Sequence, residues 1–134
     1  MVGIVTRLDS SSKLDEFEGK VVSVDLEMGL QDRKQYHVQI EPTSFKLESA
    51  TGHAHEWISL SPRATEEGIP QGSVMDKYLM QVEICISAAK QAKTVGDAMK
   101  MLVGKTFKFK KLKLGRDFNG QPAREYICPV MLIR

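Results

Sequence analysis

Three groups of residues in this chain are of types that do chemistry, and spacing decides what each could do. His53, His55 and Glu56 form an H-x-H-E string. On a strand, side chains two apart share a face, so both imidazoles would face the same way, as a transition-metal ion requires. Such ions ordinarily take three or four protein ligands, and the sequence places no others, so these histidines read as loop residues without a metal role. Asp15, Glu16 and Glu18, and again Glu66 and Glu67, are neighbouring carboxylates of the kind that acid–base catalysis uses in pairs. They stand in polar stretches, where carboxylates are ordinarily solvated. Cys85 and Cys128 sit in apolar segments with neither metal-ligand spacing nor the density of a disulfide framework, the setting of buried reduced thiols. There is no glycine-rich phosphate loop and no nucleophile elbow. No catalytic centre, metal or cofactor is therefore expected, and the chain does not read as an enzyme.

What remains is the chemistry of a surface. Residues 102–116, LVGKTFKFKKLKLGR, alternate apolar and basic side chains. In a strand this sets Thr106, Lys108, Lys110 and Lys113 on one face and Phe107, Phe109 and Leu112 on the other, with a bulge expected where the alternation slips at Lys110-Lys111. Six basic residues lie between Lys105 and Arg116 with no acid before Asp117, whereas Asp15 to Glu27 carries five acids against Lys20 alone. The net charge of +2 is far below that of a protein that coats nucleic acid by charge alone, so the distribution of charge matters more than its sum.

The elements that must position these residues follow from pattern. With 134 residues, 42% hydrophobic and 27% charged, the chain is long enough for one domain with its own core. Residues 1–16, with Ser10-Ser11-Ser12, read as an N-terminal arm, and 17–134 as the domain. Lys20 to Met28 alternates as a strand with Val22, Val24, Leu26 and Met28 inward. Gln35 to Glu41 forms a second with Tyr36, Val38 and Ile40 inward, stopped by Pro42. Ala54 to Leu60 gives a short third strand. Ser73 to Gln91 shows an apolar stripe at helical spacing (Met75, Tyr78, Leu79, Val82, Ile86, Ala89), and Ser73 with Asp76 predicts an N-cap. Val95 to Val103 predicts a second short helix ended by Gly104. The basic strand comes next, then Asn119-Gly120, a strong hairpin signal. A last strand runs from Arg124 to Ile133, in which Tyr126, Cys128 and Val130 share a face and Pro129 demands an edge or a bulge. No segment approaches the roughly 18 continuous apolar residues of a membrane span, and Met1 to Ser12 lacks the apolar block of a secretion signal, so an intracellular protein without a membrane role is expected.

Three strands, a helix and two further strands is the order of the oligonucleotide/oligosaccharide-binding fold, a mainly β, five-stranded Greek-key barrel with a helix between its third and fourth strands. Gly19-Lys20-Val21-Val22-Ser23-Val24, Tyr36 to Pro42, Trp57-Ile58-Ser59-Leu60-Ser61 and Leu102 to Phe109 resemble the corresponding strands of replication protein A-like and phage single-stranded DNA-binding barrels. The resemblance covers residues 17–134 and implies a non-enzymatic module that holds single-stranded DNA or RNA. The binding surface would be the face of the second and third strands together with the loops after the first and fourth. Here that surface comprises Tyr36, His37, Gln39 and Trp57, the loop carrying Arg33 and Lys34, and the loop from Arg116 to Arg124 with Phe118. Single-strand binders pair phosphate-tracking cations with rings on which bases stack. Arg33, Lys34, Lys108, Lys110, Lys113, Arg116 and Arg124 supply the charge in this reading, and Trp57, Tyr36 and Phe118 the rings. Trp57 has core-type neighbours and reads first as core or core-rim packing, second as a platform. Phe118, in a polar hairpin tip, is the better stacking candidate, and Phe107 and Phe109 belong to the core.

The alternative comes from another class. Small barrels also serve as assembly modules, in which the long helix Ser73 to Gln91 and exposed strand edges would contact a protein partner or a second copy within a replication or viral complex, and near-neutral charge and seven methionines suit that reading.

Overall fold

The computed structural model of the chain describes residues 14–29, 32–65, 67–115 and 120–134. Five antiparallel strands form one sheet: β1 (Glu16–Met28), β2 (Lys34–Pro42), β3 (Ala54–Ser59), β4 (Thr106–Lys113) and β5 (Glu125–Leu132), in spatial order β3-β2-β1-β4-β5. Helix α1 (Val74–Cys85), a 3₁₀ turn over Ser87–Gln91 and helix α2 (Val95–Lys100) lie between β3 and β4, as expected. The predicted arm, residues 1–13 of it, lies outside the described residues, while Leu14 packs on the core and β1 begins at Glu16.

β1 is the central strand, and its inward residues Phe17, Val21 and Val24 meet Val38 and Ile40 of β2 and Phe107 and Phe109 of β4 in one core. Gly19 is there because the strands approach too closely for a side chain: a Cβ at that position would stand 2.5 Å from Ile40 Cγ2. Val22 is an extra residue, since Val21 pairs with Ile40 and Ser23 with Gln39. The bulge resets the alternation, which is why Val22 is not inward as expected. Leu26 and Met28 are also exposed, because β1 runs past the end of the core.

Ser73 caps α1, its Oγ accepting from Asp76 N–H at 3.2 Å. Met75, Tyr78 and Val82 are buried from α1, which packs on β5 and β3. The helix ends at Cys85 rather than Gln91, because the chain turns extended at Ile86 and re-enters as a 3₁₀ turn that returns Ala89 to the core. α2 likewise stops at Lys100. Gly104 serves the turn after it, with φ +83° and its N–H donating to Val21 O at 2.8 Å.

The bulge expected in β4 falls on β5 instead. Lys108 pairs with Met131 and Phe109 with Pro129, leaving Val130 as the extra residue, and Pro129 has no N–H to give the ladder. Thr106, placed with the lysines by pattern, is buried.

β3 and β5 are the two edges, and no strand ladder joins them among the described residues, so the sheet is not closed by backbone pairing. A side chain spans the gap. Glu56, buried from β3, accepts Ile127 N–H of β5 at 2.9 Å on Oε2 and the Arg124 guanidinium on Oε1.

Candidate nucleic-acid interface

The β1–β4 register decides the fate of the basic strand. It sets Glu18 opposite Lys108 and Glu16 opposite Lys110, and Lys108 Nζ reaches Glu16 Oε1 at 2.7 Å while Lys111 Nζ lies 3.2 Å from Asp15 Oδ1. The hydrogen bond and charge of Lys108, with Lys110 adding to them, hold the Glu16 carboxyl below its ordinary value, and Glu16 in turn raises Lys108. Lys113 stands opposite Glu125 in the β4–β5 ladder. The acidic and basic runs that are separate in sequence are therefore interleaved in space. Lys108, Lys110 and Lys113 therefore do not form an acid-free track. Arg116 and Phe118 lie outside the described residues.

The β2–β3 register gathers a different set. His37 pairs with Trp57 and Gln39 with His55, and period-two alternation turns all four away from the core side chains Val38, Glu56 and Ile58. His37 Nε2 and His55 Nδ1 are 2.8 Å apart, with ring centroids at 5.0 Å and planes inclined by 23°. A hydrogen bond along the line of two ring edges accounts for that centroid distance, so the imidazoles meet edge to edge rather than face to face. The Trp57 indole lies nearly parallel to both, with centroids 4.6 Å from His37 and 5.6 Å from His55 at 11° and 13°, the spacing of offset stacking. Glu27 fixes the group: Oε1 accepts Trp57 Nε1–H at 2.8 Å, and Oε2 lies 3.3 Å from His37 Nδ1. Burial first, then nearby His37 and His53, keep the His55 imidazole below its ordinary pKa.

Trp57 is 37% exposed, a backed and anchored ring at the rim of the sheet rather than inside its core. Tyr36, the second expected platform, is 6% exposed and belongs to the core; His37 takes its place beside the tryptophan. Arg33 and Lys34, at the loop end of β2, line a groove of about 360 Å³ with Leu60 and Ser61.

Arg124 comes to the edge of the same surface. Its Nη1 is 3.4 Å from Trp57 O, its guanidinium lies 4.3 Å from the centroid of the Tyr126 ring, and its side chain remains 56% exposed despite the bond to Glu56. Glu56 also accepts Trp57 N–H at 3.0 Å. Burial raises the Glu56 carboxyl above its ordinary value, opposed by the Ile127 N–H and the Arg124 charge.

The H-x-H-E string is split by this geometry. His53 Nδ1 lies 3.2 Å from Gln39 Oε1, His55 joins the ring cluster, and Glu56 turns inward. Among the described residues no group of three or more His, Cys, Asp or Glu is arranged to hold a metal ion. Cys85 and Cys128 are free thiols, and burial pushes Cys128 up to about 12. No helix among the described residues is long and apolar enough to cross a membrane. Comparison of the chain with protein families, with curated proteins and with solved structures gives no match.

The cluster was findable in outline. A hairpin pairing Tyr36–Ile40 with Ala54–Ile58, core residues inward on both strands, necessarily puts His37, His55 and Trp57 on one outward face.

Proposed function

We propose that this chain is a single-stranded nucleic-acid-binding module in which an unpaired base stacks on Trp57, with Arg124 and the Arg33–Lys34 loop contacting phosphates beside it. The observation that carries the reading is the outward, half-exposed indole held flat by His37, His55 and Glu27. The fold in this reading is the oligonucleotide-binding barrel. The strand order β3-β2-β1-β4-β5 and the helix between β3 and β4 support it, with Glu56 joining the edges where such a barrel would close by pairing.

The charge pairing on β4 shapes the expected behaviour. On a single strand each neutralised phosphate contributes about 0.7 to the slope of log affinity against log salt, so Arg33 and Lys34, with Arg124 already held by Glu56 as a third contact, give a slope of roughly −1.5 to −2 rather than the steeper value the basic strand would have supplied. Stacking of one base is worth about 1–3 kcal/mol, so Trp57→Ala should weaken binding by roughly 5- to 150-fold. Fluorescence anisotropy with a labelled oligonucleotide at several salt concentrations measures both. No binding in dilute buffer, or binding undiminished by Trp57→Ala, rejects the proposal.

A second reading, an assembly module, is favoured by Met80 and Ile84, one turn apart on α1 and 53% and 68% exposed. Light scattering separates the two: self-association lost on Met80→Lys and unaffected by Trp57→Ala belongs to this second reading.

A further inference from the structure

We infer that His37 and His55 form a two-histidine site for a divalent first-row transition ion of the copper, nickel or zinc kind, with His37 Nε2 and His55 Nδ1 as the protein ligands. The inference is independent of nucleic-acid binding.

One hydrogen-bond assignment gives every ring nitrogen of the pair a partner. In it the Glu27 carboxylate is the acceptor and His37 carries its proton on Nδ1, which faces Glu27 Oε2 at 3.3 Å. His37 Nε2 is then a bare acceptor and His55 Nδ1–H donates to it at 2.8 Å. That leaves His55 Nε2 bare, and the Thr51 hydroxyl, 3.2 Å away, donates to it. One proton lies between two imidazole nitrogens that point at each other.

A metal ion can replace that proton. The His55 proton moves from Nδ1 to Nε2, and the Thr51 hydroxyl, also an acceptor for His53 N–H at 3.2 Å, turns to accept it. Both nitrogens facing the ion are then neutral donors with free lone pairs. Each outer N–H has its own acceptor, Glu27 for His37 and Thr51 for His55, the arrangement that orients metal-bound histidines. Neutral rings exchange a tautomer and no net proton is released.

Two metal–nitrogen bonds of about 2.0–2.1 Å at adjacent positions span about 2.8–3.4 Å between nitrogens, and His37 Nε2 and His55 Nδ1 already stand 2.8 Å apart. Insertion requires the rings to pivot so that both lone pairs point to one centre, a side-chain motion that leaves β2 and β3 in place. With no third protein ligand among the described residues, water completes the coordination and the ion is exchangeable. Imidazole ligands and the Irving–Williams order make Cu²⁺ the strongest binder.

Trp57 is the chain's single tryptophan and stacks on both rings, so it reports occupancy directly. Untagged protein is titrated with Cu²⁺, without nucleic acid, while tryptophan emission is recorded. Saturable quenching at one equivalent, reversed by EDTA, abolished by His37→Gln and by His55→Gln and retained by His53→Gln, is the expected result. Absence of saturable quenching, or quenching equal to wild type in both His37→Gln and His55→Gln, overturns the site. Should those variants fail to fold, Zn²⁺ added to wild-type protein is followed by ¹⁵N imidazole resonances. Shifts at His37 Nε2 and His55 Nδ1 support the site, and shifts confined to His53 overturn it. The oligonucleotide titration can fail or succeed whatever this one gives.

Discussion

Glu56→Ala is the substitution whose cost the structure sets most tightly. The carboxylate accepts from Ile127 N–H, Trp57 N–H and Arg124, and its loss leaves Ile127 N–H, a buried contact, without that acceptor. One unsatisfied buried donor costs about 1–3 kcal/mol. Arg124 is half exposed and returns to water, so the 3–5 kcal/mol typical of breaking a fully buried pair is an upper bound. Together these give about 2–4 kcal/mol and, at roughly 3–4 °C per kcal/mol for a domain of this size, a fall in Tm on the order of 10 °C. Arg124→Ala adds a sign test. Because burial raises the Glu56 carboxyl above 4.5, the folded state holds this proton more tightly than the unfolded chain, and the residue's contribution to stability falls as pH rises from about 4.5 through the raised value. Removing Arg124 raises that value further, so Arg124→Ala should cost more at pH 8 than at pH 5. Circular-dichroism melts at both pH values measure this. A Glu56→Ala loss below about 1 kcal/mol, or an Arg124→Ala loss larger at acid pH, would refute the bridge between β3 and β5.

Neutralising Lys108 alone, as Lys108→Gln, should weaken oligonucleotide binding by no more than about fivefold, because Glu16 and Glu18 already offset its charge across the ladder; anisotropy at fixed salt checks it. Cys128, buried with its thiol pushed up to about 12, should remain unmodified by Ellman's reagent at pH 8 until denaturant is added, with the half-buried Cys85 reacting first. Gly19→Ala should cost about 1–3 kcal/mol in urea titration, since the new Cβ meets Ile40 Cγ2 at 2.5 Å and Glu41 O at 3.2 Å. No loss of stability there would mean that β1 and β2 separate more readily than their register implies.

Local pattern disclosed most of the elements and little of what brings them together. β2 was legible because Tyr36, Val38 and Ile40 are all core residues at strict period two. β1 was misread at Val22, Leu26 and Met28 because its bulge and its overhang are set by pairing with β2, which no window of one strand contains. The Ser73 cap was visible because its chemistry is local; the break at Ile86 was not, because it follows from where Ala89 must pack. The charge pattern misled for the same reason: Asp15–Glu18 and Lys108–Lys111 are about ninety residues apart and become neighbours only in the β1–β4 ladder. Trp57 was drawn toward the core by its core-type neighbours, whereas both adjacent residues, Ile58 and Glu56, point inward and the alternation turns the indole outward; Glu56 is a carboxylate at a position where an apolar side chain is the ordinary expectation.

That carboxylate joins two properties usually considered apart. Glu56 and Trp57 are consecutive and point to opposite faces, so the peptide between them belongs both to the seam and to the platform. Trp57 N–H is held by Glu56, and Trp57 O by Arg124, which Glu56 also holds. On the outer face the indole N–H is held by Glu27. The ring is thus anchored at its backbone by the group that bridges the sheet edges and at its tip by a residue of the central strand. A ring fixed at both ends loses little freedom when a flat ligand settles on it, so more of the stacking energy remains as affinity. Whatever loosens the link between β3 and β5 must therefore also loosen Trp57, and tryptophan emission should begin to change at the same denaturant concentration at which that link opens.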